Sequence, residues 1–150
     1  MENNKLLVAV DTSENSERAI HYISYILKNR DDFQIGLLYV HMLPDKDIFP
    51  DEESWKLCCA ERERKGDAFL KKCEKTLLEK GFKKENIKQI FYYMEAGSVA
   101  QKILEIQEKN GYGTIVVGRR GISKAEEFLF GSVSNKIIHY AKNSAVWVVE

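Results

Sequence analysis

The residues best suited to chemistry stand late in the chain, where an apolar run at 114–117 leads into Gly118-Arg119-Arg120-Gly121, nine residues, and then Gly131-Ser132-Val133-Ser134. The spacing is Gly-x2-Gly-x9-Gly-Ser. Glycine admits positive φ and lets a ligand approach the main chain without a Cβ in the way. A helix that starts at Gly131 or Ser132 would offer unpaired N–H groups and a partial positive charge, so Gly131, Ser132, Val133 and Ser134 together read as an anion seat with two hydroxyls added. Each glycine alone reads first as a turn residue. The whole spaced pattern is rarer, expected by chance in roughly one of a few hundred chains at ordinary glycine usage. Arg119, Arg120 and Lys124 add local positive charge that suits phosphates, while Glu126 and Glu127 read as solvated acids opposing them.

Other chemistries lack their motifs. There is no Gly-x4-Gly-Lys-Ser/Thr loop, no Gly-x-Gly-x-x-Gly, no Gly-x-Ser-x-Gly elbow and no His-Glu-x-x-His pair, which argues against motors, kinases, dinucleotide enzymes, hydrolases of the elbow type and zinc proteases. The histidines, His21, His41 and His139, are scattered and read as polar structural residues, with His41 the nearest to the presumed site. No catalytic residue is assigned. Cys58, Cys59 and Cys73 form no Cys-x-x-Cys and have no histidine at zinc-ligand spacing. If all three lie on one helix, Cys59 and Cys73 are roughly 21 Å apart, beyond disulfide reach, so free thiols in a reducing compartment are expected.

The chain has 150 residues, 44% apolar and 31% charged, enough to bury a core as one domain spanning 1–150 without disulfides or a structural metal. Twenty-three basic residues balance 23 acidic ones, so no overall field exists to hold nucleic acid or a membrane surface. Neither a signal-peptide core nor an apolar stretch of bilayer length is present, and a cytoplasmic location is expected.

Runs at 5–10, 34–41, 87–94, 114–117 and 145–149 are rich in Val, Ile, Tyr and Phe and read as five buried strands. Ala19, Ile20, Ile23, Ile26 and Leu27 mark one face of a first helix with Ser13 as its cap. Leu57, Phe69, Leu70, Leu77 and Leu78 mark a long amphipathic helix over 54–80, irregular near Gly66 and stopped at Gly81. Ser98-x-x-Gln101 has capping-box spacing, and its helix ends at Asn110-Gly111. A last helix from Gly131-Ser132 is expected to bury Val133, Ile137, Tyr140 and Ala141. The acidic stretch 43–53, which carries both prolines, reads as a loop. Strict β-α alternation implies a parallel sheet with helices on both faces.

These motifs, with Val8-Ala9-Val10-Asp11-Thr12-Ser13 and Tyr39-Val40-His41, resemble the universal stress protein family along the whole chain, most strongly over 115–149, where the glycine pattern is that of its ATP-binding branch. The resemblance implies a three-layer α/β/α, Rossmann-like adenine-nucleotide-binding fold with a five-stranded parallel sheet in the order 3-2-1-4-5. In that order the connections reverse between strands 1 and 4, whose carboxyl ends are Asp11 and Gly118, and ligands of open α/β sheets sit at such a switch point. Carried over, the resemblance puts Asp11 and the main chain of Val40 near the adenosine and Gly118 near the ribose, with Arg120, Gly121, Gly131, Ser132, Val133 and Ser134 around the phosphates. Asp11 reads alternatively as a turn residue and Val40 as core. Implied ligands are ATP, or AMP or ADP, with Mg2+.

The final strand would be a sheet edge, and the resemblance implies a homodimer formed across it through Val146, Trp147 and Val148. Val99 stands where the family often has Pro, and Asn143-Ser144-Ala145 where it often has Cys-Pro. The function implied is that of an ATP-binding, homodimeric regulator of the stress response. The alternatives are a nucleotide-free dimeric interaction module of the same fold and a slow ATP hydrolase.

Overall fold

A computed structural model of the protein describes residues 2–120 and 131–150. Strands β1 (Glu2–Val10), β2 (Gln34–Met42), β3 (Ile87–Met94), β4 (Tyr112–Gly118) and β5 (Ala145–Val149) alternate with helices α1 (Glu14–Ile26), α2 (Glu52–Glu79), α3 (Val99–Asn110) and α4 (Ser132–Tyr140). All strand pairs are parallel, in the order β3-β2-β1-β4-β5.

Because successive side chains of a strand point to opposite faces, each central strand feeds two cores. Leu6, Val8 and Val10 of β1 and Leu37 and Tyr39 of β2 pack under α1 and α2, with Ile20, Ile23, Phe69, Leu70 and Leu77. Leu7, Leu38, Ile115 and Val117 pack on the other face with Ala100 and Ile103 of α3 and Ile137 of α4. The sheet is therefore the middle of three layers, as the alternation implies.

Helix ends follow local chemistry. Ser13 accepts from Ser16 N to cap α1, Ser98 accepts from Gln101 N to cap α3, and Gly111 closes α3 in the left-handed conformation at φ 68°. The stretch 43–53 is not all loop: Lys46–Ile48 form a single 3-10 turn, and Asp51 caps α2 through Ser54 N. Helix α2 runs unbroken through Gly66, where the expected irregularity is absent. Glycine is required there because a Cβ would stand 2.5 Å from the Tyr39 ring. Four apolar residues counted toward helix faces are exposed instead: Ile26 at 41% on α1, Leu57 at 66% and Leu78 at 37% on α2, and Tyr140 at 67% at the end of α4.

Candidate functional site

The first turn of the site is built by Asp11. Leaving β1, its Oδ1 accepts from Ser13 N at 3.0 Å and from Ser16 Oγ at 2.8 Å, while the Ser16 hydroxyl oxygen accepts from Asp11 N at 2.9 Å. This closed set of bonds fixes the carboxylate at the mouth of the β1-α1 turn, so the turn reading of Asp11 and its position at the switch point are compatible. Ser16 is 4% exposed. The sequence reading missed it, although its three-residue spacing from Ser13 is a capping signal.

The opposing wall begins where β4 ends. Gly118 does not have positive φ; its missing side chain makes room for α1, since a Cβ would lie 2.9 Å from Asn15 Cβ and 3.0 Å from the Asn15 carbonyl carbon. Among the described residues the positive-φ glycines are Gly81, Gly97 and Gly111. Asn15 then donates its side-chain amide to the Arg120 carbonyl at 3.1 Å. Arg119 is held on two further sides: its N–H donates to Val149 O at 2.7 Å, and its carbonyl accepts from Gly131 N at 2.8 Å and from Ser134 Oγ at 2.7 Å. The segment after β4 is thus pinned by α1, β5 and α4 together.

Helix α4 opens with Gly131 as its N-cap at φ −65° and ψ 161°, an extended conformation any residue adopts. Gly131 makes no side-chain cap bond. Helix geometry leaves the N–H groups of Ser132, Val133 and Ser134 without intrahelical partners, and these carry the partial positive charge of the helix end. The expected anion seat is narrower than the four residues suggest. Gly131 N–H is already committed to Arg119, and the Ser134 hydroxyl, in a residue 3% exposed, also lies 3.1 Å from the Gly131 carbonyl. Val133 packs its side chain on the α3-α4 core, so only its main chain can serve a ligand. Ser132 is exposed and brings the remaining hydroxyl.

Between these walls lies a cavity of about 550 Å³, within the range of small-molecule sites. Asp11, Val40, Gly118, Arg120, Gly131, Ser132, Val133 and Ser134 all line it. Gly121 lies outside the described residues, as do Lys124, Glu126 and Glu127. One end of the cavity is apolar, formed by Leu38, Val40 and Met42 of β2 with Val99 and Ile103 of α3; the other end is the polar turn and helix terminus. Leu38, Met42, Val99 and Ile103 were not singled out as site residues, because an apolar slot is indistinguishable in sequence from core. Val40 serves both readings, packing against the α3-side core while lining the slot.

Two charged or titratable residues near the site prove to face elsewhere. The Arg119 guanidinium pairs with the Glu150 carboxylate, whereas Arg120 lines the cavity. His41 is 2% exposed and sits on the opposite side of the sheet, its ring 6.5 Å from Tyr39, 5.7 Å from Phe91 and 5.5 Å from Tyr93. Burial pushes its imidazole below the ordinary value of 6.5, with Glu63 raising it and Arg62 lowering it by smaller amounts. Among the described residues, no group of three or more His, Cys, Asp or Glu is placed to hold a metal ion. A divalent cation here would be carried chiefly by phosphate oxygens, with Asp11 the acid on the described cavity wall.

Comparison with known proteins gives the same answer at the level of family and fold. The sequence model of the universal stress protein family matches residues 2–150. The universal stress protein MJ0531 of Methanocaldococcus jannaschii is 31% identical over 137 residues, 91% of this chain and 76% of that protein. The structure of the universal stress protein UspA from Lactobacillus plantarum superposes with a TM-score of 0.81 at 16% identity, covering 100% of this chain and 99% of that one. A universal stress protein solved in complex with cAMP superposes with a TM-score of 0.70 at 18% identity, covering 100% and 99% of the two chains. With its glycine-spaced loop, its 3-2-1-4-5 sheet and a match along nearly its whole length, the chain belongs to the universal stress protein family.

Proposed function

We propose that this protein binds an adenine nucleotide, ATP above all, and acts as a nucleotide-dependent regulator in the stress response, as one cytoplasmic domain over 1–150. The observation that carries the reading is the cavity: about 550 Å³ in volume, it is lined by apolar side chains of β2 and α3 and by a helix N-terminus at the switch point of the sheet. The adenine would lie between the β2 side chains and α3, with Val40 and Asp11 at the adenosine and Gly118 at the ribose. The phosphates would meet the N–H groups of Ser132, Val133 and Ser134, the Ser132 hydroxyl and Arg120, with Gly121 and Gly131 giving room to the main chain. Mg2+, if bound with the nucleotide, would offset phosphate charge, with Asp11 the acid on the described wall to help hold it. A relative of the same fold holds cAMP, an adenine nucleotide.

Binding rather than turnover is the reading. The acid on the described wall already has one carboxylate oxygen engaged by two hydrogen bonds, a poor arrangement for a general base. Partner contact is assigned to β5, an edge strand whose Val146, Trp147 and Val148 are partly exposed, through a two-fold homodimer.

The test is calorimetric titration of nucleotide-stripped protein with ATP and AMP, after denaturing a portion to identify any carried nucleotide. Saturable binding well below millimolar is expected. No carried nucleotide together with no binding at millimolar ATP would favour the nucleotide-free interaction module. Gly131→Val should abolish ATP binding in a folded protein, because the backbone there tolerates a side chain while the phosphate approach does not.

A further inference from the structure

We infer that Asn15 is a positioning residue for phosphate recognition, an inference that rests on the nucleotide reading above and refines it. Neither the glycine pattern nor the β1-α1 motif contains it. Asn15 does two things in the structure: its Cβ fills the space left by Gly118, and its amide nitrogen donates to the Arg120 carbonyl at 3.1 Å. These contacts tie the first turn of α1 to the segment that leaves β4, across 105 residues of sequence.

The consequence is electrostatic. A carbonyl oxygen turned toward a phosphate would repel it, and the Arg119 and Arg120 carbonyls are the ones that join the end of β4 to α4 and α1. The first is held by Gly131 N–H and Ser134 Oγ, and the second by Asn15. With both carbonyls engaged by donors of the protein, the Arg120 segment presents its remaining groups to the cavity it lines. Loss of the Asn15 amide would remove the tie between α1 and the Arg120 carbonyl while leaving both bonds to the Arg119 carbonyl in place. The apolar slot for the base, formed by β2 and α3, is not touched by Asn15 and should be indifferent to the change.

That separation defines the experiment. Affinities for ATP and for adenosine are measured on the full chain for wild type, Asn15→Ala and Asn15→Asp, with thermal melts alongside. Asn15→Ala keeps the Cβ that packs on Gly118 and removes the donor; Asn15→Asp keeps the shape and replaces the donor with an acceptor, so either folded variant decides. The expected result is ATP binding weakened about fivefold in Asn15→Ala and at least as much in Asn15→Asp, with adenosine affinity changed less than about twofold. Equal weakening of both ligands would reduce Asn15 to a structural residue and overturn the inference, as would unchanged ATP affinity. Wild type that binds neither ligand overturns the nucleotide reading itself, a separate outcome. Failure of both variants to fold would also overturn it, by showing that the contact serves the fold before any ligand.

Discussion

The hydroxyl of Ser134 lies 2.7 Å from the carbonyl oxygen of Arg119, to which it donates beside the N–H of Gly131 at 2.8 Å. This pair of bonds ties the start of α4 to the end of β4, and it changes how the loop motif is understood. A serine that the motif offers to phosphate is committed to the protein, and its neighbour two residues earlier carries the exposed hydroxyl.

The two serines should therefore separate under mutation. Ser134→Ala removes a buried donor and should lower unfolding free energy by about 1 kcal/mol. Ser132→Ala should leave stability within about 0.5 kcal/mol while weakening ATP several-fold and sparing adenosine. Urea denaturation and ligand titration of both variants check the assignment; the reverse pattern would contradict it.

Gly118 is close to α1 for packing reasons, and its substitution tests that directly. An alanine Cβ would stand 2.9 Å from Asn15 Cβ and 3.0 Å from a backbone carbon, contacts that a rigid helix start cannot relieve cheaply. Gly118→Ala should cost about 1–3 kcal/mol of stability, read from the shift in denaturant midpoint. Stability equal to wild type would mean that α1 gives way easily.

The buried imidazole of His41 gives the protein a pH dependence of definite sign. Its folded value is lowered, chiefly by burial, so the unfolded state binds the proton more readily. Stability from this group is fully present above its ordinary value of 6.5 and is lost as pH falls through that value toward the folded one. His41→Phe should flatten the stability slope between about pH 7.5 and pH 5.5 relative to wild type. An unchanged slope would assign the dependence to other groups.

The thiols differ in the same way by burial. Cys73 is 3% exposed and its thiol is pushed up to about 12, chiefly by desolvation, whereas Cys58 and Cys59 are partly exposed in the first half of α2. A thiolate-specific reagent at neutral pH should modify Cys58 and Cys59 in the native protein and reach Cys73 only after unfolding. Rapid labelling of Cys73 under native conditions would contradict its burial.

Much of the architecture was legible because local rules and tertiary packing agree. The strands at 87–94 and 145–149 carry their expected bounds, and Ser13, Ser98 and Gly111 act at the helix ends where their side-chain chemistry assigns them. What sequence could not reveal is set by distant partners. Gly66 looks like a helix defect until Tyr39 is seen against it, and Gly118, which lines the cavity, has a second role in packing that only Asn15 reveals. His41 ends a strand close to the site in sequence, yet the pleat turns it to the other face, beside Phe91 and Tyr93. Tyr140 has the right helical spacing for burial, but at the last residue of α4 it extends past the sheet into solvent. Eight of the nine residues chosen for the site do line one cavity, while its apolar half, Leu38, Met42, Val99 and Ile103, was hidden among ordinary core positions.

The most direct measurement is a crystal structure grown with saturating ATP and Mg2+. The account predicts adenine in the slot beside Val40 and Met42, with phosphate oxygens within hydrogen-bond distance of the Ser132 and Val133 main-chain nitrogens and the Ser132 hydroxyl. A nucleotide bound with its phosphates away from the start of α4, or a cavity still empty under those conditions, would contradict it.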